Sequence, residues 1–453
     1  MREKPLLFGT DGVRGVAGRS PLDRETVWKL GRALGMVLDK TVPARPLRAV
    51  LGEDTRESSA FISRTFAAGL ESSGVEVVYA GVITTPGVAF LARRHRFAAG
   101  VVVSASHNPY QDNGIKVLSS EGMKLPESQE LEIERKLDEC GSPPPGTSDA
   151  PLRQAPQLVA DYVDYLAGLV PQGCDLSGYR LVMDCAHGAS SRVVPELVSK
   201  LGIKARVLNH EPNGRNINLE CGSLYPHAVA QLTQSTGADL GVAFDGDADR
   251  AIFATREGRI ADGDHVLFAA APDWKKRGAL RGNAVVGTLM TNVGLELALA
   301  RQGIGLRRTA VGDKYVLEEM LRSGMNLGGE PSGHIIFSDL SLAGDGIITL
   351  LQMLRLMAET REPFERLAGG LKQFPQVIRN VRVKEKPPME SLPPVARAIE
   401  EGRQAFGERG RVVVRYSGTE PLARVMVEGE HAEAVELHAR RIAEAIDLVL
   451  GAR

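Results

Sequence analysis

The chain has 453 residues, of which 43% are hydrophobic and 25% are charged, and its 55 basic residues nearly balance its 56 acidic residues. This length exceeds what one hydrophobic core supports and predicts roughly three or four domains, and the composition excludes a disordered or fibrous chain. The net charge of -1 provides no overall field that would favour nucleic acid, so any anion-binding site must be local.

The sequence predicts a cytoplasmic protein. Its four cysteines form no C-x-x-C pair and are too sparse for a disulfide scaffold, as expected for reduced thiols. No apolar run approaches the roughly 20 residues that span a bilayer, and no secretory apolar segment follows the charged start of the chain. We therefore expect neither a membrane nor a nucleic acid as a partner.

In the first part of the chain, apolar runs of strand length alternate with amphipathic stretches, which is typical of parallel sheets covered by helices. The predicted strands are 48–52, 75–79 and 98–103, and the predicted helices are 58–73 and 86–94. The sequence S-A-S-H-N-P at 104–109 follows a strand, where open α/β sheets place ligands. A proline-rich and glycine-rich stretch at 141–156 predicts the end of a first domain, 1–150.

Two further units repeat this alternation and predict domains 151–256 and 257–370. In the second unit the predicted helices are 158–169, 190–201 and 226–235, and the predicted strands are 180–184, 204–208 and 240–244. The sequence D-G-D-A-D-R at 245–250 again follows a strand. In the third unit the predicted strands are 284–286 and 306–309, and the predicted helices are 291–301, 314–322 and 345–359.

The last part of the chain, 371–453, changes character and predicts a smaller α+β domain. Its predicted strands are 377–383, 411–415 and 424–427, and its predicted helices are 394–404 and 432–450. The predicted fold class is therefore α/β, with three similar α/β domains that contain mixed sheets and a smaller C-terminal α+β domain. The three units share no detectable sequence repeat.

The S-A-S-H-N-P segment presents a serine hydroxyl at the end of a strand. Ser106 is a candidate nucleophile or phosphate carrier, with His107 and Asn108 shaping the loop. Lys116 follows in N-G-I-K and could stabilise developing charge or transfer a proton. The alternative is a simple turn, which Asn-Pro and serine both favour.

In D-G-D-A-D-R, three carboxylates alternate along the chain. A curved loop can bring Asp245, Asp247 and Asp249 together on one ion, and Mg²⁺ is suitable because it prefers hard oxygen ligands. An EF-hand is excluded because Arg250 follows the third acid and Arg256 occupies the twelfth position. A solvated acidic turn is the alternative.

The R-Y-S-G-T-E-P segment at 415–421 collects hydrogen-bond donors in a short loop. Arg415 offers a bidentate guanidinium, Ser417 and Thr419 offer hydroxyls, and Gly418 permits close approach of the backbone, a combination suited to binding a phosphate. Arg424 lies just beyond. A plain β-hairpin turn is the alternative.

The G-E-P-S-G-H segment at 329–334 places an acceptor, a donor and a titratable ring between two glycines. Glu330, Ser332 and His334 are suited to binding sugar hydroxyls, although a lone histidine beside an apolar run is also common as a structural residue.

The F-G-T-D-G-V-R-G segment at 8–15 is rich in glycine but is predicted to lack the strand and helix that flank a dinucleotide fingerprint. Arg14 could bind a phosphate or pair with Asp11. The chain contains no nucleotide P-loop, no H-E-x-x-H and no G-x-S-x-G, so a kinase, a zinc protease or a common serine hydrolase is not predicted.

These five motifs, in this order, resemble the α-D-phosphohexomutase family over nearly the full length of the chain. The segments N-I-N-L-E-C-G-S at 216–223 and V-G-D-K-Y-V at 311–316 resemble the branch of that family that acts on glucosamine phosphates. Two residues depart from the pattern of the branch. They are Pro331, where glutamine is usual, and Tyr416, and Pro331 leaves the preferred hexose open.

The resemblance implies four domains around a central cleft and a homodimer. It implies that Ser106 carries a phosphate and that one Mg²⁺ is bound by this phosphate together with Asp245, Asp247 and Asp249. It implies that Glu330, Ser332 and His334 contact the sugar. The phosphate that is not reacting would be held by Arg415, Ser417, Gly418, Thr419 and Arg424.

The implied reaction interconverts glucosamine 6-phosphate and glucosamine 1-phosphate through a 1,6-bisphosphate, for amino-sugar and cell-wall precursor synthesis. Lys116 and Arg250 would balance the phosphoserine charge, and Lys116 and His334 are candidates for proton transfer. The alternatives are a phosphomannomutase or phosphoglucomutase of the same family, a magnesium-dependent sugar phosphatase, and a sugar-phosphate sensor without catalytic activity.

Overall fold

The computed structural model describes residues 7–9, 11–42, 45–146, 152–417 and 421–451. Within these ranges the strands form sheets of six, five, four and three strands. The predicted fold class, three α/β units with mixed sheets and a smaller α+β unit, is confirmed. No helix in the described ranges is long and apolar enough to cross a membrane.

The first unit contains a mixed sheet with helices on its faces. Its strands are β1 (Phe8–Gly9), β2 (Gly12–Val16), β3 (Arg48–Glu53), β4 (Glu76–Val82), β5 (Ala99–Val103) and β6 (Asp112–Ser119). Its helices are α1 (Arg24–Thr41), α2 (Ser59–Glu71), α3 (Thr85–Arg94) and α4 (Glu127–Lys136). The strand order is β1-β2-β6-β5-β3-β4. The β3 strand runs parallel to β4 and β5, whereas β6 runs antiparallel to β5.

The second unit also has parallel strands at its centre and antiparallel strands at one edge. Its strands are β7 (Arg180–Asp184), β8 (Lys204–Leu208), β9 (Leu240–Phe244), β10 (Ala251–Ala254) and β11 (Ile260–Ala261), in the order β11-β10-β9-β7-β8. Its helices are α5 (Gln157–Gly168), α6 (Ser190–Leu201) and α7 (His227–Thr236). The β9 and β10 strands form a hairpin, and D-G-D-A-D-R is the loop between them.

The third unit has four strands, β12 (Ala284–Thr288), β13 (Gly305–Thr309), β14 (Leu327–Gly329) and β15 (Ile335–Phe337), in the order β13-β12-β14-β15. Its helices are α8 (Gly263–Lys276), α9 (Val293–Ala300), α10 (Asp313–Ser323), α11 (Gly346–Thr360) and α12 (Phe364–Ala368). The G-E-P-S-G-H segment links the antiparallel pair β14 and β15.

The fourth unit is a three-stranded antiparallel sheet covered by helices. Its elements are β16 (Gln376–Arg382), α13 (Pro393–Phe406), β17 (Gly410–Tyr416), β18 (Leu422–Gly429) and α14 (Ala432–Leu450). The strand order is β16-β18-β17. The β17 strand ends within the R-Y-S-G-T-E-P segment and pairs antiparallel with β18, and residues 418–420 of this segment lie outside the described residues.

The amino-terminal segment differs from its prediction. It was predicted to lack a flanking strand and helix, but β1 and β2 form a hairpin, β2 pairs with β6, and α1 follows. The strand was hard to recognise because Val13 is the one residue of β2 that is fully buried, so there is little apolar alternation. Thr10 lies outside the described residues.

One hydrophobic core runs through the first three units. Large fully buried side chains from each unit belong to it, including Phe97, Tyr162, Phe253 and Phe337. The fourth unit has a separate core in which α14 packs on β16 and β18. Apolar burial is the main stabilising term in packing, and the first three units therefore share a stabilising core to which the fourth unit does not contribute.

Candidate active site

Ser106 lies in the loop after β5, where it is buried against the loop between β9 and β10. Its hydroxyl donates a hydrogen bond of 2.5 Å to Oδ2 of Asp245. The residue has a φ of 51°, a left-handed conformation that is uncommon for residues other than glycine. The Nδ1 atom of His107 lies 3.4 Å from the hydroxyl, and burial together with Arg250 and Arg14 lowers the pKa of His107 to about 4. A neutral imidazole therefore faces the serine at neutral pH.

The three aspartates of the β9–β10 loop converge. Asp245, Asp247 and Asp249 each place a carboxylate oxygen within 4.8 Å of the others, and all three are buried. Burial and the neighbouring carboxylates of Asp249 and Asp247 raise the pKa of Asp245, because three negative charges in one buried cluster repel one another. The Oδ1 atoms of Asp247 and Asp249 are buried without a hydrogen-bond partner among the described residues. These oxygen donors fit a hard divalent cation.

Two cations lie against the aspartates. The Nζ atom of Lys116 is 2.8 Å from Asp247 and 3.9 Å from Asp249, and its side chain is 2% exposed. Burial alone would lower the pKa of Lys116, but Asp11 and the two aspartates raise it above its ordinary value. Arg250 places Nε 3.7 Å from Asp249 and donates its backbone N–H to Asp245 at 3.2 Å. Positive charge thus lies directly beside the aspartate cluster that the Ser106 hydroxyl contacts.

The predicted sugar loop, residues 329–334, reaches the same cluster. The Nδ1 atom of His334 lies 3.5 Å from Oδ2 of Asp249. Burial would lower the pKa of this histidine, but Asp249 raises it to about 9. Glu330 is held by the backbone N–H of Gly312, which donates to Oε1 at 3.0 Å. The hydroxyl of Ser332 is buried without a partner among the described residues, so it is available to a ligand.

Arg14 pairs with Asp11, which was one of the two interpretations of this residue from the sequence. Its guanidinium forms an ion pair with Asp11 and donates to the backbone carbonyl of Ala105 at 3.3 Å. A weaker contact of 3.5 Å reaches Oδ1 of Asn108. Arg14 therefore supports the serine loop from the side of β2.

The predicted phosphate loop lies on the separate fourth sheet. Arg415 and Arg424 are directly opposite each other on β17 and β18, and burial together with Arg424 lowers the pKa of Arg415. The two guanidiniums repel each other, and an anion bound by both would relieve that repulsion. Ser417 is buried and donates its backbone N–H to Leu422 at 2.8 Å. Gly418 and Thr419 lie outside the described residues.

The sequence analysis missed Arg56, which organises the serine loop. Its side chain is fully buried beside Asp54, with Nε 2.8 Å from Oδ2. The terminal nitrogens of Arg56 donate to four backbone carbonyls of the loop, those of Ser106, Asn108, Pro109 and Asp112. All five N–H groups of the guanidinium are thus used. The signal was present, because D-T-R follows the carboxyl end of β3 as S-A-S-H-N-P follows β5.

Asn218 holds the same loop from the second unit. Its Nδ2 group donates to the carbonyls of Ser106 at 2.9 Å and Asn108 at 3.0 Å. Gly246 packs beside this contact, where a Cβ atom would lie 2.4 Å from the Ser106 carbonyl oxygen. The backbones of the serine loop and the aspartate loop are therefore in direct contact. Asn218 belongs to the N-I-N-L-E-C-G-S segment, whose structural role the sequence did not reveal.

Models of four consecutive domains match the chain. The phosphoglucomutase/phosphomannomutase alpha/beta/alpha domains I, II and III match residues 5–142, 160–258 and 262–374, and the C-terminal domain of the same proteins matches residues 379–445. The chain therefore belongs to the phosphoglucomutase/phosphomannomutase family.

Individual relatives are similar over the whole chain. Phosphoglucosamine mutase of Koribacter versatilis (strain Ellin345) is 51% identical over 99% of this chain and 98% of its own length. A phosphoglucomutase/phosphomannomutase family protein from Burkholderia thailandensis has a similar fold, with a TM-score of 0.78 and 22% identity over 98% of this chain and 97% of that chain. Aspergillus fumigatus N-acetylphosphoglucosamine mutase, solved with GlcNAc-6P and magnesium, has a TM-score of 0.66 and 18% identity over 98% and 96% of the two chains.

Proposed function

We propose that the chain interconverts glucosamine 6-phosphate and glucosamine 1-phosphate through a phosphorylated Ser106 and a hexosamine 1,6-bisphosphate. The observation that carries this proposal is the 2.5 Å contact between the Ser106 hydroxyl and the buried aspartate cluster. The name of the 51% identical relative from Koribacter versatilis supports the choice of sugar. The family itself supports the class of reaction.

Phosphoryl transfer depends mainly on alignment and on charge balance. A hydroxyl oxygen of the sugar phosphate attacks the phosphorus on Ser106, the bond from phosphorus to the serine oxygen breaks, and the bisphosphate forms. Reversal with the other phosphate of the bisphosphate restores phosphoserine and releases the isomer. Mg²⁺ held by Asp245, Asp247, Asp249 and the phosphoserine would neutralise charge on the phosphate oxygens. Lys116 and Arg250 supply further positive charge beside the aspartates.

Each transfer also moves a proton from the attacking hydroxyl to the serine oxygen. We assign this task to Lys116 and His334, which both lie within 4 Å of Asp249. The raised pKa values of both groups favour their protonated forms at neutral pH, so both are suited to give a proton to the departing serine oxygen. His334 has the lower pKa, so it loses its proton more readily than Lys116, and its neutral form is the one that can accept a proton from the sugar.

The remaining groups are assigned to binding. Glu330, Ser332 and His334 contact the sugar hydroxyls. The distal phosphate is held by Arg415, Ser417, Gly418, Thr419 and Arg424. Because the fourth unit has its own core, it can open to let the bisphosphate reorient and close to exclude water.

The function is tested by a coupled assay with glucosamine 6-phosphate and a catalytic amount of the 1,6-bisphosphate, run beside glucose and mannose phosphates. We expect the highest kcat/KM with the glucosamine compound. Faster turnover of glucose or mannose phosphate would assign the chain to another branch of the family. Release of inorganic phosphate at the rate of substrate loss would indicate a phosphatase, and binding without turnover would indicate a sensor.

We propose four domains. The phosphoserine lies in 1–150 and the magnesium ligands in 151–256. The sugar loop lies in 257–370 and the distal phosphate is bound by 371–453. A cytoplasmic location and a homodimer stay predictions. The four free cysteines support the cytoplasmic location. Light scattering of the purified chain measures whether it forms a homodimer.

Metal binding should stabilise the protein. The repulsion among Asp245, Asp247 and Asp249 is relieved by a divalent cation, so Mg²⁺ at about 100 times its Kd is expected to add about 2.7 kcal/mol to the free energy of unfolding. Asp247→Asn should lose most of this gain, measured by calorimetry with and without Mg²⁺. The control is Asp164→Asn, which changes an exposed carboxylate paired with Lys200. Equal responses in the two variants would contradict the assignment.

Gly246→Ala should impair phosphoryl transfer. The added Cβ atom would push the aspartate loop away from the Ser106 carbonyl, which lies 2.4 Å from the position of that atom. A displacement of about 1 Å at a reacting centre costs on the order of 100-fold in rate, so we expect a loss of that size in kcat. Gly178→Ala is the matched control, since nothing lies within 4 Å of its Cβ position. Equal turnover of both variants would show that the two loops tolerate separation.

A further inference from the structure

Lys124 and Asp313 join the first and third units beside the active site. Lys124 follows β6, and Asp313 begins α10. The Nζ atom of Lys124 lies 2.8 Å from the Asp313 carboxylate and 2.6 Å from Oδ1 of Asp11. One ammonium group thus bridges two carboxylates that belong to different units. The mechanism described above assigns no task to these residues.

Each end of this bridge continues to a group that the proposed mechanism uses. On the side of the first unit, Oδ2 of Asp11 is 3.1 Å from Nζ of Lys116. On the side of the third unit, Oδ2 of Asp313 is 3.8 Å from Nε2 of His334. His334 and Lys116 in turn both contact Asp249. Opposite charges therefore alternate around a closed ring that connects all three α/β units.

The segment that contains Asp313 also holds the other end of the sugar loop. Gly312, the preceding residue, donates its backbone N–H to Glu330. Gly312 has a φ of 133°, which residues with a side chain rarely adopt, so this backbone geometry favours glycine at position 312. The helix that follows is anchored by the buried Val316 and Met320. A rigid element thus fixes both Glu330 and His334.

We propose that Lys124 and Asp313 are positioning residues that set the distance between the sugar loop of the third unit and Ser106 of the first. This inference rests on the proposed function. Without the ammonium group, Asp313 would keep only the 3.8 Å contact with His334 among the ion pairs of the described residues, and its carboxylate would repel that of Asp11, which keeps Arg14 and Lys116. The third unit would then relax away from the first, and the sugar hydroxyl would lose its alignment with the phosphoserine.

The test is a double-mutant cycle on the full chain with Mg²⁺, using Lys124→Met, Asp313→Asn and the double variant. We expect each single change to lower kcat/KM for glucosamine 6-phosphate by about 10-fold to 100-fold. The double variant should be no slower than the slower single variant, because the two residues act through one contact. Lys124→Arg should restore most of the activity, since it keeps a cation between the carboxylates.

A matched control lies on the same helix. Arg307 and Glu319 form an ion pair of 2.8 Å between β13 and α10, and neither residue is a member of the charged ring. Arg307→Met and Glu319→Gln should leave kcat/KM within about 2-fold of the wild-type value, as expected for surface ion pairs. Comparable losses in these controls would attribute the effect to general loosening of α10.

A second readout separates positioning from a structural defect. Hydrolysis of the phosphoserine in the absence of sugar needs no sugar loop, so its rate should be unchanged in Lys124→Met, whereas single-turnover transfer to glucosamine 6-phosphate slows. Equal slowing of both reactions, or additive single effects, overturns the positioning inference. Absence of wild-type turnover with glucosamine 6-phosphate overturns the proposed function and this inference together.

Discussion

Ser106→Ala is expected to abolish isomerisation, with a fall in kcat of at least about 1,000-fold, as found when a nucleophile is removed from an enzyme. The serine oxygen is the atom that accepts and returns the phosphate, and alanine has no atom in its place. The Asp245 carboxylate would also lose the serine hydrogen bond of 2.5 Å and keep only the backbone N–H of Arg250 among the hydrogen bonds of the described residues. The measurements are the coupled assay and the intact mass, which should lose the phosphate adduct.

The control is Ser235→Ala on the exposed surface of α7, where the hydroxyl bonds only to the helix carbonyl of Leu232 among the described residues. This variant should keep both the phosphate adduct and normal turnover. Near-normal isomerisation by Ser106→Ala without added bisphosphate would exclude Ser106 as the phosphate carrier. A phosphate adduct that persists in Ser106→Ala would show that another residue carries it.

Arg56→Met is expected to destabilise the serine loop by about 3–5 kcal/mol, the usual cost of removing one partner from a buried ion pair. The change leaves Asp54 as an uncompensated buried charge and deprives the carbonyls of the loop of their donors. Ser106, whose conformation is left-handed, would then be held at its carbonyl by Asn218 but no longer by Arg56. Native-state hydrogen exchange of the amides at 104–112 measures the local free energy, and the coupled assay measures the loss of turnover.

Two further variants make this prediction specific. Arg56→Lys should recover little, because a lysine has three donors in place of the five that the guanidinium uses. Arg215→Met breaks a nearby exposed pair with Glu57, in which the Arg215 side chain is 66% exposed, and should cost less than about 1 kcal/mol. Equal protection of the loop amides in Arg56→Met and Arg215→Met would refute the role of Arg56.

The regular alternation of the chain made many elements predictable. The bounds of β7, β8, β9, α6 and α14 agree with the predicted ranges, because each has a clear apolar period and a defined start or end. Helix α1 was missed although Asp23 caps its first turn through a 3.0 Å bond to the Thr26 amide. The signal for this helix, an aspartate before its first turn, was therefore present in the local sequence. The β14 and β15 strands have three residues each and are too short to show a period.

Some features of the candidate site could also be predicted from the sequence, and others could not. The positions of Ser106 and the three aspartates after strands could be predicted, since the carboxyl ends of strands in open sheets collect ligand-binding residues. The contacts of Arg56, Asn218 and Lys124 could not, because each joins residues that are more than 40 positions apart in the chain. No local pattern encodes such pairs.

The sequence by itself determined the order of the units, the motifs and the kinds of chemical group that each loop presents. These properties depend on neighbouring residues, which the backbone keeps close together. Only the tertiary structure decided that Ser106 meets Asp245 across 139 positions of the chain, and that Arg56 and Asn218 fix it there. The packing of one unit on another sets these contacts, because burial of a shared core fixes distances that the chain connectivity leaves free.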